Sequence, residues 1–263
     1  MISGDIVDLS RRVKAAQGHG RLFLSFSTGV DAIASFLRCI ESDEWNPKEA
    51  VLYYYHHVPM SWTLEYIEYF EDRYGVKVIR VPSHIFLSDL ANWLYQEPVR
   101  AEAIQELQKT MYAFRAMKKD QIQDGVRMWS RLPESTMCGV GVKQGDSPMR
   151  RTQMRKYQGI SPRGKWYPIW DFEHRDVEDI IRRHGVKVPY DYELFGISYE
   201  NIDYRFSKVI SEQCPNNWEK ILEWFPLADT IISRHEYYTD RPPKKGMKYQ
   251  RFSDIILQPR EAL

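Results

Sequence analysis

Along the first hundred positions, short unbroken apolar runs alternate with apolar residues at helical spacing. Arg21 to Phe26 is such a run, closed by the small residues Ser27, Thr28 and Gly29, and Asp31 to Ile40 then places apolar residues three and four apart. The pattern predicts a strand, a turn and a helix. Ala50 to Tyr55 predicts a second strand, which leads through His56, His57, Val58 and Pro59 into a helix from about Ser61 to Tyr74. Gly75 predicts the end of that helix, Lys77 to Val81 a third strand, and Pro82 with Ser83 the opening of a helix running to about Tyr95. Strands alternating with helices at this interval imply right-handed crossovers. The expected fold is therefore α/β: a doubly wound, mostly parallel sheet with helices on both faces.

The rhythm changes between about 98 and 130, where Ile104, Leu107, Met111, Phe114 and Met117 follow steps of three and four among many charges. This predicts a helical insertion, either packed on its neighbours or serving as a lid or a homodimer contact. Met137 to Val142 returns to a strand-like run, followed by Asp146-Ser147-Pro148 and a basic helix with Arg150, Arg151, Arg155 and Lys156. Trp166 to Trp170 predicts a short strand and Glu173 to His184 a helix. Phe206 to Tyr238 predicts a helical C-terminal part interrupted at Pro215 and Pro226. The expected organisation is an α/β domain over 1–197 and a helical extension over 198–263, whose basic, breaker-rich stretch Arg241 to Lys248 reads as an extended tail.

Composition narrows the class. The chain has 263 residues, 43% hydrophobic and 14% aromatic, enough for one substantial core. With 37 basic and 36 acidic residues the formal charge is +1, so the whole-molecule field does not draw nucleic acid, although a local basic patch is compatible with it. No run approaches the roughly 18 to 20 apolar residues of a membrane span, and Met1 to Asp5 lacks a signal-peptide layout. A cytoplasmic protein with no membrane contact is expected. Cys39, Cys138 and Cys214 lie far apart and read as free thiols rather than a disulfide framework or a zinc site.

The candidate chemistry starts at the first turn. Small residues between a strand and a helix let successive N–H groups face one anion, where the helix N-terminus adds about half a positive charge. Ser27 and Thr28 hydroxyls can donate to phosphate, Gly29 can take a backbone angle that other residues resist, and Asp31 can cap the helix or hold Mg2+. An ordinary turn with an aspartate cap fits the same residues.

Ser25-Phe26-Ser27-Thr28-Gly29-Val30-Asp31-Ala32 resembles the S-x-S-G-G-x-D-S pyrophosphate loop of the phosphoadenosine-phosphosulfate reductase family, within the wider group of adenine-nucleotide α-hydrolases and N-type ATP pyrophosphatases. Thr28 stands where that family has its first glycine and Ala32 where it has its last serine. Gly141 to Arg151 is similar to the family's G-x-R-x-x-E-S-x-x-R stretch, and Pro168 to Phe172 with Asp176, Val177 and Ile180 to its P-L-x-D-W-x-x-x-D-V-x-x-Y segment. The three segments occur in the family's order between about Arg21 and Gly196.

The resemblance implies a nucleotide crevice at the strand ends, in which Ser25, Ser27, Thr28, Gly29, Asp31 and Arg151 bind phosphate and Asp31, Lys143 and Arg150 serve catalysis. Guanidinium forks suit phosphate and sulfate oxygens. His56 and His57 follow the second strand where reducing members carry Asp-Thr-Gly, so His56 is a candidate for a base or ribose contact; an exposed loop histidine is the alternative. Members that reduce sulfonucleotides use a cysteine in a Glu-Cys-Gly motif, and the sequence has none after Cys214. Ordinary reduction is therefore not expected, and Cys138 is either a thiol beside the site or a buried strand residue. What the resemblance leaves is cleavage of ATP to AMP and pyrophosphate, with Mg2+, to adenylate an acceptor for sulfur transfer or nucleic-acid modification. The alternatives are a sulfonucleotide-binding enzyme, a non-catalytic nucleotide-binding module in a larger assembly, and nucleic-acid contact through Lys118, Lys119 and the basic tail.

Overall fold

The computed structural model describes residues 5–114 and 119–240. The chain runs through α1 (Ile6–Gln17), β1 (Phe23–Ser25), α2 (Val30–Ile40), β2 (Val51–His56), α3 (Ser61–Tyr74), β3 (Lys77–Pro82) and α4 (His84–Ala91). Then follow α5 (Ala101–Phe114), α6 (Lys119–Trp129), β4 (Cys138–Gly139), α7 (Pro148–Tyr157), β5 (Ile160–Ser161), β6 (Lys165–Trp166) and α8 (His174–His184). The short helix α9 (Asp191–Phe195) precedes α10 (Tyr204–Gln213), α11 (Pro215–Trp224) and α12 (Asp229–Asp240).

One six-stranded sheet has the order β3-β2-β1-β4-β6-β5, with β5 alone antiparallel to its neighbour. This is the expected doubly wound α/β fold. From the central β1 the chain winds outward to β2 and β3 on one side and to β4 and β6 on the other. Such a reversal of winding leaves a crevice at the carboxyl ends of β1 and β4, where open α/β sheets take their ligands.

Side-chain alternation assigns the two faces. Leu24, Leu52, Tyr54 and Val78 point into a core with Val13 of α1, Leu37 of α2, Phe70 of α3 and Ile180 of α8. Phe23, Val51, Tyr53 and Val81 point the other way, against Val126 of α6 and Leu132. A third cluster joins Val58, Met60, Phe86 and Leu90 to Phe206, Ile210, Ile221 and Phe225, so the C-terminal helices share a core with α4 and the entry to α3. Each of these large apolar side chains contributes about 1.5–3 kcal/mol by leaving water.

Several elements differ from the sequence expectation, each for a local reason. The helix after Ser83 stops at Ala91 instead of Tyr95, because Trp93 and Tyr95 take left-handed backbone (φ 63° and 52°) and the Tyr95 carbonyl accepts the Leu227 N–H at 3.0 Å. Docking of the C-terminal helices outweighs the last helical turn. The insertion is two helices rather than one; Ile104 and Met111 are buried, and Gln108 donates to the Ala91 carbonyl at 2.6 Å. Phe114 and Met117 lie outside what is described of side chains there. The ladder over Met137 to Val142 is confined to Cys138 and Gly139, and the expected strand from Trp166 ends at that residue. Pro168 has no N–H to continue a ladder, and Trp170 N–H closes a turn on Tyr167 O at 3.2 Å. The hairpin of β5 with β6 and helix α1, capped by Asp5 and closed by Gly18 (φ 73°), add to the expected elements. Arg241 to Lys248 and Lys118 lie outside the described residues.

Candidate functional site

Leaving β1, the chain stays in the sheet to Phe26, whose N–H donates to Tyr53 O at 2.8 Å. It then turns sharply at Thr28, a buried residue with φ 60° whose hydroxyl donates to the Ser27 carbonyl at 2.6 Å. The left-handed angle thus falls on Thr28 and not, as the sequence suggested, on Gly29, which caps α2 in extended conformation (φ −68°, ψ 154°). A β-branched residue held in that region stores on the order of 1–3 kcal/mol, which only a strongly determined surrounding maintains. What Gly29 supplies is room: a Cβ there would sit 3.1 Å from Ser198 Oγ and 3.3 Å from Ser27 Oγ.

The helix N-terminus already has partners from the protein. Gly29 N–H donates to Ser27 Oγ at 3.4 Å, and Val30 N–H donates to the Tyr192 hydroxyl at 3.1 Å. Asp31 does not cap α2, and the residue at the N-cap position, Gly29, has no side chain to do so. Instead the Asp31 carboxylate pairs with the ammonium of Lys143, a buried side chain from the loop after β4. The second carboxylate facing Lys143 is Asp146, with Oδ1 3.5 Å from Nζ, and Asp146 Oδ2 accepts Arg150 Nη1 at 3.0 Å. Asp31, Lys143, Asp146 and Arg150 therefore form a chain of alternating charge.

Local sequence explains this placement. Gly141 lets the strand exit lie directly on the first turn of α2, since a Cβ there would be 2.7 Å from the Asp31 carbonyl oxygen. The Lys143 N–H donates to Asp146 Oδ2 at 3.0 Å, and Ser147 caps α7 by accepting the Arg150 N–H at 3.2 Å, with Pro148 in the first turn as expected. Burial takes hydration from the Lys143 ammonium, and the two carboxylates beside it offset part of that loss.

Two cavities open on the loop. One, of about 190 Å³, has Ser25, Gln123, Arg150, Gln153, Lys165 and Tyr167 among its walls. The other, of about 150 Å³, is walled by Ser27, Tyr54, Tyr55, His57, Tyr199 and Glu200, among others. Ser25, Ser27 and Arg150 thus meet cavities, whereas Arg151 is exposed on α7 and lines neither. His56 turns Nδ1 to the His57 carbonyl at 2.7 Å, and its neighbour His57 occupies the cavity wall instead. His57 is buried with both ring nitrogens lacking a hydrogen-bond partner, and burial, with His56 and His84 nearby, pushes its pKa down to about 4. The ring is neutral at pH 7.

Sequence reasoning missed Tyr192, Ser198 and Lys165, and gave Asp146 no role beyond a helix start and its place in the stretch similar to G-x-R-x-x-E-S-x-x-R. Asp191 positions the first two: it is buried, its Oδ2 accepts the Tyr199 N–H at 3.0 Å, and burial raises its carboxyl pKa. No local pattern ties α9 to α2. Lys165 sits in a hairpin that periodicity did not reveal.

Two other expectations are settled by packing. Cys138 is fully buried with Sγ 3.4 Å from the Tyr53 hydroxyl, and burial raises its thiol pKa. It is a core residue. Asp171, in the segment that resembles P-L-x-D-W, forms a buried pair with Arg38 of α2, which also donates to the Pro168 carbonyl at 2.9 Å and stacks on Phe172 with 4.4 Å between guanidinium carbon and ring centroid. Among the described residues no group of three or more His, Cys, Asp or Glu is placed to hold a metal, and no helix is long and apolar enough to cross a membrane.

No described protein family and no curated protein matches the chain. Similar solved structures include the U34-tRNA thiolase NcsA of Methanococcus maripaludis (12% identity, TM-score 0.42, covering 86% of this chain and 79% of that one). The NH3-dependent NAD synthetase of Campylobacter jejuni is similar at 9% identity and TM-score 0.44, covering 94% and 96%. The phosphoadenylyl-sulfate reductase of Candida auris, a phosphate complex, is similar at 11% identity and TM-score 0.42, covering 74% and 87%. Identities of this size say nothing about the residues of the site.

Proposed function

We propose that the crevice binds an adenine nucleotide by its phosphates and that the chain cleaves ATP between the α and β phosphates to activate an acceptor. The observation that carries the reading is the convergence, at one switch point of the sheet, of the strained Thr28 turn, the N-terminus of α2 and the chain Asp31, Lys143, Asp146, Arg150. Each part answers a demand of phosphoryl chemistry. The α2 N–H groups and the Ser25 and Ser27 hydroxyls bind phosphate oxygens, and an incoming phosphate takes over the Val30 N–H from Tyr192. Neutral His57 and the small cavity it shares with Ser27 receive the base or ribose.

As an acceptor attacks the α-phosphorus, the bond to the bridging oxygen breaks and the electron pair leaves with pyrophosphate. Lys143 and Arg150 meet the charge that develops there. Asp31 fits a magnesium ion in one respect: its side chain is a third exposed, and Mg2+ needs only one or two carboxylates when phosphates and water complete its shell. The ion would neutralise phosphate charge.

A second reading, binding without catalysis, is favoured by one observation, that the Asp31 carboxylate is already committed to Lys143. Thermal shifts with ATP and magnesium, AMP, adenosine phosphosulfate and phosphoadenosine phosphosulfate, on the native chain and on Asp31→Ala and Arg150→Ala, test the site. A ligand at about 100 times its Kd adds about 2.7 kcal/mol, and both variants should lose it. Pyrophosphate release from labelled ATP separates the readings. No shift with any of the four ligands removes both.

A further inference from the structure

We propose that the surface built by α7 and the β5–β6 hairpin is a track for single-stranded nucleic acid leading into the crevice. That the strand is the acceptor rests on the nucleotide reading; that it binds does not. Between Ser147 and Trp170 the chain carries six Lys and Arg and no Asp or Glu, although the whole chain is balanced to +1. The hairpin follows α7 through Gly159, whose carbonyl accepts the Tyr167 N–H at 2.9 Å, and its Arg163 and Lys165 line one cavity with Tyr157 of α7, whereas Arg155 lines a separate cavity with Glu41, Glu173 and Asp176. Arg151, Lys156 and Arg163 form no ion pair with a described carboxylate.

The surface also has a recess. A cavity of about 300 Å³ is walled by Tyr157, Ser161, Pro162, Arg163 and Tyr167 among others. It shares Gln153, Met154, Lys165 and Tyr167 with the cavity that reaches Ser25 and Arg150, so the two adjoin. No described residue lining either is acidic. Tyr157 is 40% exposed, and the Lys156 ammonium lies 5.0 Å from its ring centroid. Cations that follow a phosphate backbone, interleaved with flat rings on which bases stack, are what single strands require. A recess of this size admits an unpaired nucleotide and not a duplex, and a membrane surface would have no use for recessed tyrosines. Lys118 and the basic tail, to which the sequence pointed for such contact, lie outside the described residues.

The test is fluorescence anisotropy of labelled single-stranded RNA and DNA of about a dozen nucleotides on the full chain, across about 50 to 200 mM salt. Binding should weaken with salt. The double variant Lys156→Glu, Arg163→Glu should lose about tenfold or more in affinity and flatten the log–log salt slope by about two, while its thermal shift with ATP stays that of the native chain. Tyr157→Ala should lose about fivefold or more with the salt slope unchanged, because it removes stacking and no charge. Strand binding without a thermal shift from any of the four nucleotides would support the track and remove the nucleotide reading. The proposal is overturned by an ATP shift without strand binding at low salt, by strand binding indifferent to the charge-reversal pair, by Tyr157→Ala binding like the native chain, or by binding to phosphatidylserine vesicles in place of oligonucleotides.

Discussion

The ammonium of Lys143 rests on the carboxylate of Asp31, 112 residues away in sequence, with Asp146 Oδ1 3.5 Å away on its other side. The contact joins the loop after β4 to the first turn of α2 and closes the floor of the crevice. Two carboxylates converge there on one buried cation.

Removing that cation should therefore cost more than removing either anion. Lys143→Met leaves Asp31 and Asp146 facing each other, and a loss of about 1–3 kcal/mol is expected, reduced by the partial exposure of both carboxylates. Asp31→Asn should cost less. In a double-mutant cycle by urea unfolding, the two changes together should fall short of their sum by about 1 kcal/mol. Strict additivity would mean the contact contributes nothing.

Tyr192 predicts effects of opposite sign. Its hydroxyl accepts the Val30 N–H, so Tyr192→Phe leaves a helix-terminal donor without its partner and should lower the stability of the free chain by about 1 kcal/mol. The same change frees that N–H for an anion. The thermal shift with ATP should consequently grow relative to the native chain, and a variant that loses both stability and shift would make Tyr192 part of the binding surface.

Arg38 and Asp171 test whether the Pro168 to Phe172 segment acts structurally. Both side chains are below 10% exposed, at 8% and 7%. Arg38→Met strands a buried carboxylate and should cost about 3–5 kcal/mol in urea unfolding. Nucleotide shifts measured well below the new midpoint should be unchanged.

His57 carries a pH dependence with a definite sign. Its folded pKa is about 4 against about 6.5 in the unfolded chain, so protons bind the unfolded state first. The stability linked to this residue is complete above about pH 6.5 and is lost as the pH falls toward about 4, by at most about 3 kcal/mol. His57→Gln should flatten the difference between urea midpoints at about pH 7 and pH 5. Equal slopes for variant and native chain would show that the ring is not buried neutral.

The strand–turn–helix at Ser25 was legible because every signal in it is local: an apolar run, three small residues, then helical spacing. For the same reason α3 and the Ser147–Pro148 start of α7 appear where the sequence puts them, and Thr28 and Gly29 exchanged roles only because the turn's angle depends on what Ser198 and Tyr192 place against it. Of the two histidines after Tyr55, His57 and not His56 lines the cavity. His57 lies just past the end of β2, where strand alternation no longer assigns a side, so only the fold places its ring at the cavity.

By itself the sequence determined the α/β rhythm, the place of the turn between β1 and α2 and the basic run after Ser147, since these follow from side chains acting on their own backbone or from composition within a few turns of chain. The tertiary structure alone decided that Lys143 meets Asp31, that Tyr192 covers the helix terminus, that Cys138 and Asp171 are interior, and that Arg150 of α7 and Lys165 of the hairpin line one cavity. Those contacts span between 85 and 162 residues, apart from that cavity, which joins near neighbours through an unforeseen hairpin. Chain separation of that size leaves no periodicity behind, and packing against a common core is what brings the partners together.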